Sequence, residues 1–436
     1  MIDIQSFIDS RKVGRFQINV IVLCGLVVLL DGLDTQVIGY LGPALAREWN
    51  LSRAALGPVF SASLAGLMIG LLAIAPLADK LGRKWAIICS AGLFGCFTLL
   101  TATAQGVSEL MAYRFVAGIG LGGALPNALT LTGEYCPSRR RATLVIIMFC
   151  GFSLGSILGG GLTAAIISQF GWRPVFLVGG ALPLLLIPLL VAKLPESIHL
   201  LALRGAEPEK IRSLLKRIDP GFPVPADAQF KTAEPGARGV PVTELFRDGR
   251  GVGTILLWIV FFMNLLDFFF LQNWLPTVFT DSGLTTETAV LATTLISAGG
   301  IVAGILTGPL MDRFGPHNVL AGLYACGTVF VALVGMAASA SLPVVIATTF
   351  AAGFCVSGGQ KSVNAAAVMF YPTAIRSTGV GWALGIGRIG SIIGPLAGGW
   401  LMTAGWSNVD IFRLASLPML IAAGVIFAMG LRYGAK

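Results

Sequence analysis

The stretch "FQINVIVLCGLVVLLDGLD", Phe16–Asp34, is an apolar run that ends in two carboxylates. It carries no charge as far as Leu30, and a helix that crosses a bilayer needs about 20 mostly apolar residues. The same pattern recurs in a chain that is 55% hydrophobic and only 12% charged, with a mean hydropathy of +0.83. Because soluble domains carry about 25% charged residues, we expect a polytopic membrane protein.

Further charge-free runs of this kind follow along the chain. They lie at Ala54–Ala78, Trp85–Ser108, Phe115–Gly133, Ala142–Trp172, Pro174–Ala192, Thr288–Met311, Ile389–Val409 and Leu414–Leu431. The run Asn318–Gln360 is too long for one span, so it is predicted to fold back at Ala338–Pro343. None of the runs alternates polar and apolar residues, which excludes a transmembrane β-barrel. With the charge-interrupted segments, the sequence predicts an all-α membrane protein of twelve transmembrane helices.

Positive charges fall on loops that share one side of the membrane if there are twelve spans. They lie at Arg11–Arg15, Lys80–Lys84, Arg139–Arg141, Arg313 and Arg376, and nine Lys or Arg residues lie in the long polar segment Pro195–Arg250. Loops rich in Lys and Arg stay in the cytoplasm, so both termini are predicted to be cytoplasmic. These loops also explain the net charge of +9, which therefore does not indicate nucleic-acid binding.

Several other classes of function find no support in the sequence. Met1–Arg15 lacks the apolar core of a cleavable signal peptide. The seven cysteines lie mostly in apolar runs and form no C-x-x-C pair, and there are only two histidines, so we expect neither a metal nor a cofactor. The glycine-rich stretches follow no strand and lack the Walker pattern, so they are not nucleotide loops. We find no nucleophile–base spacing that would indicate an enzyme.

An internal repeat divides the chain into two halves. "GSILG" at Gly155–Gly159 corresponds to "GSIIG" at Gly390–Gly394, and "CPSRRRAT" at Cys136–Thr143 corresponds to "YPTAIRST" at Tyr371–Thr378. The simplest interpretation is two pseudo-symmetric six-helix bundles, residues 1–194 and 251–436, joined by a cytoplasmic linker, residues 195–250. Transporters built from such repeats bind their substrate near the bilayer midplane, between the repeats.

Six charged side chains are predicted to lie within the membrane. They are Asp31, Asp34, Arg114, Asp267, Lys361 and Arg388. A charge at the bilayer centre costs about 2.5–3.5 kcal/mol on insertion scales, so each is a candidate functional residue. With a helical rise of about 1.5 Å per residue, Arg388 lies about 18 Å along its helix from Arg376, and Lys361 lies about 16 Å from Pro372. Both residues are therefore nearly at the bilayer midplane.

Two interpretations of these charges remain open. They could pair with one another and hold the helices together. They could instead form a proton relay with an anion site, because a buried carboxylate can bind and release a proton and an arginine presents a fork that matches a carboxylate. Trp382, Trp274 and Phe268–Phe270 could pack against an aromatic ring, although aromatic residues in membrane helices also serve as packing or interface anchors.

Charged residues at the cytoplasmic helix ends form a second set. They are Asp79 with Arg83, Glu134 with Arg141, and Asp312 with Arg313. These residues could simply orient the chain in the membrane. Alternatively, they could form a latch that locks one conformation and breaks in another, as a two-state element requires.

Several of these stretches resemble a known family. "LADKLGRK", from Leu77, resembles the loop signature of the major facilitator superfamily, and "LMDRFGPH", from Leu310, resembles its weaker second copy. "DGLD" from Asp31, "LGGALPNALTLTGEYCPSRRRA" and "FYPTAIRSTGVGWALGIGRIG" together are similar to the aromatic acid:proton symporters, of the 4-hydroxybenzoate/protocatechuate type. The resemblance covers essentially the whole chain and implies the major facilitator fold.

The resemblance also implies roles for individual residues. It assigns Asp31 and Asp34 to proton coupling and Arg388 to the surroundings of the substrate. The positions with gating or transport-linked roles are Asp79, Gly82, Arg83, Arg114, Glu134, Asp312, His317 and Arg376. Two residues depart from the family pattern: Arg173 stands where the hydroxybenzoate type has histidine, and Lys361 stands beside Gln360 where a small residue is expected.

Together these observations predict a proton symporter in a bacterial inner membrane. It would act as a monomer and import an aromatic carboxylate such as a hydroxybenzoate for the catabolism of aromatic compounds. Arg388, Lys361, Arg114, Trp382 and Gln360 are the expected substrate-binding residues, with Asp31, Asp34 and Asp267 coupling protons. A drug or organic-anion exporter that works by proton antiport remains an alternative, and a receptor or channel is a further one.

Overall fold

Twelve long helices dominate a computed structural model of the chain. The structure describes residues 2–204, 208–222, 225, 228–231, 242–372 and 375–433, and within these the side chains of Ala75, Pro76, Asp79, Lys80, Ala142, Ile146, Lys231 and Ser377 are left undescribed. In this part of the chain, twelve helices are long and apolar enough to cross a membrane. The prediction of an all-α membrane protein with twelve spans is confirmed.

The membrane helices are numbered here in chain order. They are α1 Arg15–Glu48, α2 Arg53–Leu81, α3 Arg83–Thr101, α4 Val107–Tyr135, α5 Ser138–Phe170, α6 Arg173–Lys193, α7 Gly251–Asp281, α8 Thr286–Phe314, α9 Pro316–Ala337, α10 Leu342–Phe370, α11 Arg376–Thr403 and α12, which comprises Asn408–Ala415 and Leu417–Tyr433. The break between α9 and α10 falls where the long apolar run was predicted to fold back.

Shorter elements lie outside the membrane helices. Strands β1 Ile2–Asp3 and β2 Phe230–Lys231 pair in parallel, and short helices span Ile4–Asp9, Ile198–Leu203 and Pro208–Ile218, with a 3-10 helix at Val242–Phe246.

These short elements pack on the first half of the molecule. Arg11 Nε lies 3.1 Å from Asp219 Oδ2, and the rings of Phe7 and Phe222 meet edge to face at 4.9 Å between centroids. The hydroxyl of Ser138, at the start of α5, donates a hydrogen bond of 2.8 Å to Asp9. The described part of the linker is thus tied to the first six helices and to the N-terminal segment.

Twelve antiparallel spans define two ends of the molecule. We call the end that carries the N-terminal segment, the linker and Tyr433 the linker side, and the opposite end, with the turn between Glu48 and Arg53, the far side. Asp31 lies midway along α1, and Arg388 lies near the middle of α11. Both residues are therefore at similar depth.

Glycines bring neighbouring helices into backbone contact within each half. A Cβ at Gly155 of α5 would overlap the carbonyl oxygen of Leu29 on α1, and a Cβ at Gly32 would overlap that of Phe152. In the second half, Gly390 and Gly394 of α11 meet the backbone of α7 in the same way. The repeated GSILG and GSIIG motifs thus pack α5 on α1 and α11 on α7 in the same way, because small residues let membrane helices approach closely.

We expect Gly155→Ala to destabilise the protein, since the added methyl group forces α1 and α5 apart. Overpacking typically costs about 1–3 kcal/mol, which should lower the unfolding temperature of the detergent-solubilised protein by several degrees. Gly161→Ala, on the same helix, is the matched control because its Cβ would meet nothing within 4 Å. Equal unfolding temperatures for the two variants would contradict the packing role of Gly155.

Candidate functional site

Opposite charges from the two halves approach each other at mid-depth. Asp31 of α1 and Arg388 of α11 are close enough to interact electrostatically. Asp31 is 1% exposed, and its Oδ1 accepts a hydrogen bond of 3.0 Å from Thr35, one helical turn along. The guanidinium of Arg388 lies 6.0 Å from the centroid of the Phe269 ring. Arg388 thus lies between the halves and has a carboxylate and an aromatic ring as neighbours.

The second aspartate of the DGLD motif has different partners. Asp34 Oδ1 lies 2.9 Å from Arg114 Nη1, and neither side chain is exposed. Thr98 donates a hydrogen bond of 2.7 Å to the same oxygen, while Arg114 Nη2 donates one of 3.0 Å to the backbone carbonyl of Asp34. The guanidinium also lies over the ring of Phe176, 5.5 Å from its centroid. This ion pair lies within the first half, so the structure brings Arg114 to Asp34 rather than to Arg388.

Asp267 of α7, in the second half, is buried without a partner among the described residues. Asp267 is 0% exposed, and both of its carboxylate oxygens lack a hydrogen-bond partner among the described residues. Asn264, one turn earlier on α7, donates a hydrogen bond of 3.0 Å to the carbonyl of Val356 on α10. In this structure Asp267 forms no ion pair with Lys361, so these two predicted intramembrane charges do not compensate each other.

Lys361 lies on α10 against the glycines of α8. Its Nζ is buried and has no hydrogen-bond partner within the described chain. The neighbouring Gln360 donates a long hydrogen bond of 3.4 Å to Asn364, and its own Oε1 is buried without a partner. Lys361 and Gln360 thus form a second polar site, separate from the Asp34–Arg114 pair.

The aromatic residues divide between the two ends of the molecule. Trp382 lies near the start of α11, is 44% exposed and stacks on Trp258, with ring centroids 6.0 Å apart. Trp274 lies towards the far side, where it packs edge to face on Phe60 at 5.2 Å and donates a hydrogen bond of 3.0 Å to the carbonyl of Pro395. Of the aromatic residues singled out in the sequence, the structure therefore brings Phe269, and not Trp382, to Arg388.

A chain of hydrogen bonds joins the two halves between mid-depth and the far side. The hydroxyls of Tyr40 and Ser156 are 2.8 Å apart, Ser297 donates to Ser156 over 2.9 Å, and Gln272 donates to Ser297 over 3.0 Å. All four side chains are buried. Because they come from α1, α5, α8 and α7, they link both bundles.

Further contacts join the halves at the far side. Arg53 at the start of α2 lies 2.5 Å from Asp281 at the end of α7, and Ser61 donates a hydrogen bond of 2.9 Å to the carbonyl of Ile392. Gly39 packs against the backbone of α7 at Gln272. Together with the hydrogen-bond chain, these contacts close the interface between the halves at this end.

A charged cluster organises the linker side of the first half. Arg83 Nε lies 3.2 Å from Glu134 Oε1, and Ser197 donates a hydrogen bond of 2.5 Å to the other oxygen of Glu134. Glu196 accepts hydrogen bonds from the backbone N–H groups of Arg83 and Lys84 and so caps the start of α3. Gly82, which precedes Arg83, has φ +106 and packs against Glu196. Only glycine accommodates this backbone conformation together with so close a contact.

The remaining predicted gating residues are more scattered. Asp79, expected to pair with Arg83, has a side chain outside the described residues, and the described partner of Arg83 is Glu134. Arg141 lies near Asp9. Burial raises the pKa of the Asp9 carboxyl, but hydrogen bonds from Ser138 and Gln5 and the charge of Arg141 together hold that pKa below its usual value. In the second half, Asp312 and Arg313 are exposed, His317 is half-buried, and Arg376 donates a hydrogen bond to the carbonyl of Tyr371.

Sequence reasoning missed several residues of these networks. Thr35 and Thr98 bind the two aspartates, Tyr40 and Gln272 belong to the chain between the halves, and Glu196 caps α3. The position of Thr35, one turn after Asp31, was a usable signal, because residues four apart share a helix face. The other contacts join residues far apart in the sequence, so no local pattern indicated them.

Comparisons with known proteins agree with this architecture. The profile of the Major Facilitator Superfamily matches residues 24–324 and again residues 257–434. The gallate transporter of Pseudomonas putida is 43% identical over 430 residues, which cover 98% of this chain and 95% of that protein. The 4-hydroxybenzoate transporter PcaK of the same species is 40% identical over 433 residues, covering 99% and 96% of the two chains.

A solved structure shows the same fold. The xylose transporter XylE from E. coli, in a partially occluded inward-open conformation, superposes with a TM-score of 0.73 at 19% sequence identity, covering 97% of this chain and 100% of that one. At this identity the likeness concerns the fold alone. The family profile, the identity to these relatives, the twelve spans and the internal repeat all indicate the same family. This chain is a membrane transporter, not an enzyme, and belongs to the major facilitator superfamily, within the group that contains the gallate and 4-hydroxybenzoate transporters.

Proposed function

We propose that this chain imports an aromatic carboxylate together with protons. The observation that carries the proposal is the placement of Asp31 and Arg388 in opposite halves at mid-depth, within electrostatic range of each other. The relatives named as gallate and 4-hydroxybenzoate transporters support an aromatic carboxylate as the substrate. Such substrates are anions with a planar ring, and Arg388 offers a cation beside the aromatic face of Phe269.

Arg388 is the proposed site of the substrate carboxylate. A guanidinium presents a planar fork that can donate two parallel hydrogen bonds to one carboxylate. Arg388 is half-buried between the halves, which strengthens that interaction because water competes less well there. The ring of Phe269, next to the guanidinium, provides an apolar surface on which the substrate ring can pack.

Coupling follows from competition for the same arginine. A substrate carboxylate at Arg388 takes over the electrostatic role of Asp31, which then lacks a positive partner in a buried position. Uptake of a proton by Asp31 removes this uncompensated charge, so the loaded carrier has a neutral centre. Since a charge within the bilayer costs several kcal/mol, the neutral form reorients most readily, and proton and substrate move together.

The sidedness of the molecule defines which end we place in the cytoplasm. We place the linker side in the cytoplasm of a bacterial inner-membrane protein, because the Lys- and Arg-rich loops lie there. The contacts at the far side, including Arg53 with Asp281, then describe a conformation that is closed to the outside. Residues 1–194 and 251–436 are the proposed moving halves, with residues 195–250 as the linker, and one chain forms the complete transport unit.

We predict that Asp31→Asn abolishes proton-driven accumulation but leaves substrate exchange. The asparagine cannot bind or release a proton, whereas exchange of internal for external substrate needs no net proton transfer. Proteoliposomes with an imposed inward proton gradient should accumulate labelled 4-hydroxybenzoate or gallate at least tenfold less, with counterflow largely retained. Asp410→Asn, at an exposed position of α12, is the matched control. Accumulation by Asp31→Asn that still collapses on adding a protonophore would refute the proton assignment.

We predict that Arg388→Met weakens binding of aromatic carboxylates at least tenfold, and Arg388→Lys less. Methionine removes the cation, while lysine keeps the charge but loses the fork. Competition for labelled-substrate binding in detergent measures the change. The uncharged 4-hydroxybenzamide serves as the control ligand, since its weak binding should not depend on the charge at this position. Equal losses for the acid and the amide would show that Arg388 acts through the fold instead.

We predict that Asp34→Asn destabilises the protein, because it leaves the charge of Arg114 buried without its partner. Breaking a buried ion pair in this way costs about 3–5 kcal/mol, whereas removing both charges is often tolerated. Thermal unfolding should therefore show a large loss for Asp34→Asn, a partial recovery for the Asp34→Asn/Arg114→Met double variant, and little change for Asp31→Asn. If Asp34→Asn is as stable as the wild type, the ion pair has no structural role.

A further inference from the structure

Lys361 is the buried cation that the proposed coupling mechanism does not use. Its Nζ is inaccessible to solvent and has no hydrogen-bond partner among the described residues. The side chain lies along α8, where a Cβ at Gly304 would come within 3.1 Å of Lys361 Cδ and one at Gly300 within 3.2 Å of its Nζ. Two glycines on α8 thus make room for a long side chain that points its charge into the protein.

The ammonium group lies at the interface between the halves. Gly300 and Gly304 belong to the face of α8 that packs on α5, where Ser297 donates to Ser156 and Gly160 meets Thr294, so the lysine lies beside the first half. Helices α5 and α1 are in backbone contact beside this position, where Gly151 packs against Gly25 and Gly155 against Leu29. Because Asp31 follows Leu29 on α1, Lys361 and Arg388 reach the first half on two adjacent helices.

A ligand that contacts both cations has to span two neighbouring helices of the first half. Neighbouring helix axes are about 8–10 Å apart, and Asp31 lies roughly one turn beyond the level of Gly151. One benzene ring with polar groups at opposite ends, plus a hydrogen bond of about 3 Å at each end, covers a span of this size.

The chemistry of the lysine restricts what the ligand must offer. An ammonium group carries three donors and no acceptor, so its partner has to be a hydrogen-bond acceptor or an anion. Asp267 does not supply one, because its oxygens are buried elsewhere without a partner.

We propose that Lys361 is a specificity-determining residue that selects aromatic acids with a hydroxyl opposite the carboxylate. The inference rests on the proposed function: Arg388 holds the carboxylate, and Lys361 donates a hydrogen bond to the ring hydroxyl at the other end. A site built to hydrogen-bond a hydroxyl discriminates strongly against the analogue that lacks it, because its buried polar group is then left unpaired. Benzoate should therefore bind much more weakly than 4-hydroxybenzoate.

The test compares three acids on wild type and Lys361→Met. Benzoate lacks the hydroxyl, 4-hydroxybenzoate has it opposite the carboxylate, and 2-hydroxybenzoate has it on the adjacent carbon. We expect Lys361→Met to raise the inhibition constant of 4-hydroxybenzoate at least tenfold and those of the other two acids less than threefold, in proteoliposome uptake. Lys193→Met, the same change at an exposed position at the end of α6, should alter none of them.

A second pair of variants probes the same contact without removing the charge. In Gly304→Ala the new methyl group displaces the lysine stem, whereas Gly308→Ala on the same helix meets nothing within 4 Å. We expect a selective loss of 4-hydroxybenzoate affinity for Gly304→Ala alone. This pair decides the question if Lys361→Met does not fold, as judged by size-exclusion chromatography.

The possible results separate the two proposals. Equal losses for all three acids, or no loss for any, would overturn the selective role of Lys361 while leaving aromatic-acid transport intact. Equal losses that are reversed by adding Asp267→Asn would show instead that the lysine pairs with Asp267 in another conformation. Absence of binding of all three acids to folded wild-type protein would overturn the proposed function itself, before any variant is compared.

Discussion

A charge within the bilayer is costly without a partner, and two of the buried aspartates of this transporter are compensated in different ways. Asp34 and Arg114 pair within the first half, with hydrogen bonds from Thr98 and to the backbone. Asp31 and Arg388 instead interact between the halves, so their compensation depends on how the two bundles are placed. The first pair can stay together while the bundles move. The second depends on the placement of the two bundles, and this is the property that the proposed coupling mechanism uses.

The two kinds of interface in the molecule have different chemistry. Within each half, glycines place helix backbones in direct contact, as at Gly155 with Leu29 and at Gly394 with α7. Such packing is close and apolar, so each bundle resists deformation. Between the halves there are glycine contacts as well, such as Gly39 with Gln272, but the interface also carries a hydrogen-bond chain in which Ser297 donates to Ser156 across the halves. Hydrogen bonds of this kind can break and form again with other partners. Rigid bundles joined by exchangeable polar contacts are what alternating access requires.

The two halves share an architecture but not their charges. The repeated glycine motifs pack α5 on α1 and α11 on α7 in the same way. At the linker side, however, the first half gathers Arg83, Glu134 and Glu196 around the start of α3, while Asp312 and Arg313 of the second half are exposed. The described N-terminal segment and linker also pack on the first half. The asymmetry indicates that the repeat preserves helix packing, whereas the polar networks have been adapted to each half separately.

Helix number, the break between α9 and α10, the repeat and the identity of the intramembrane charges were all determined by the sequence alone. They depend on local composition and spacing: an apolar run long enough to span a bilayer must form a helix there, and a charge within it is evident without knowledge of its neighbours. Pairings were decided only by the tertiary structure. Proximity in the sequence did not predict that Asp34 pairs with Arg114 or that Arg83 pairs with Glu134. Nor did it predict that Asp267 and Lys361 both lack a partner among the described residues. Each of these contacts depends on the rotation and depth at which helices distant in sequence pack together, and no local pattern of residues encodes that placement.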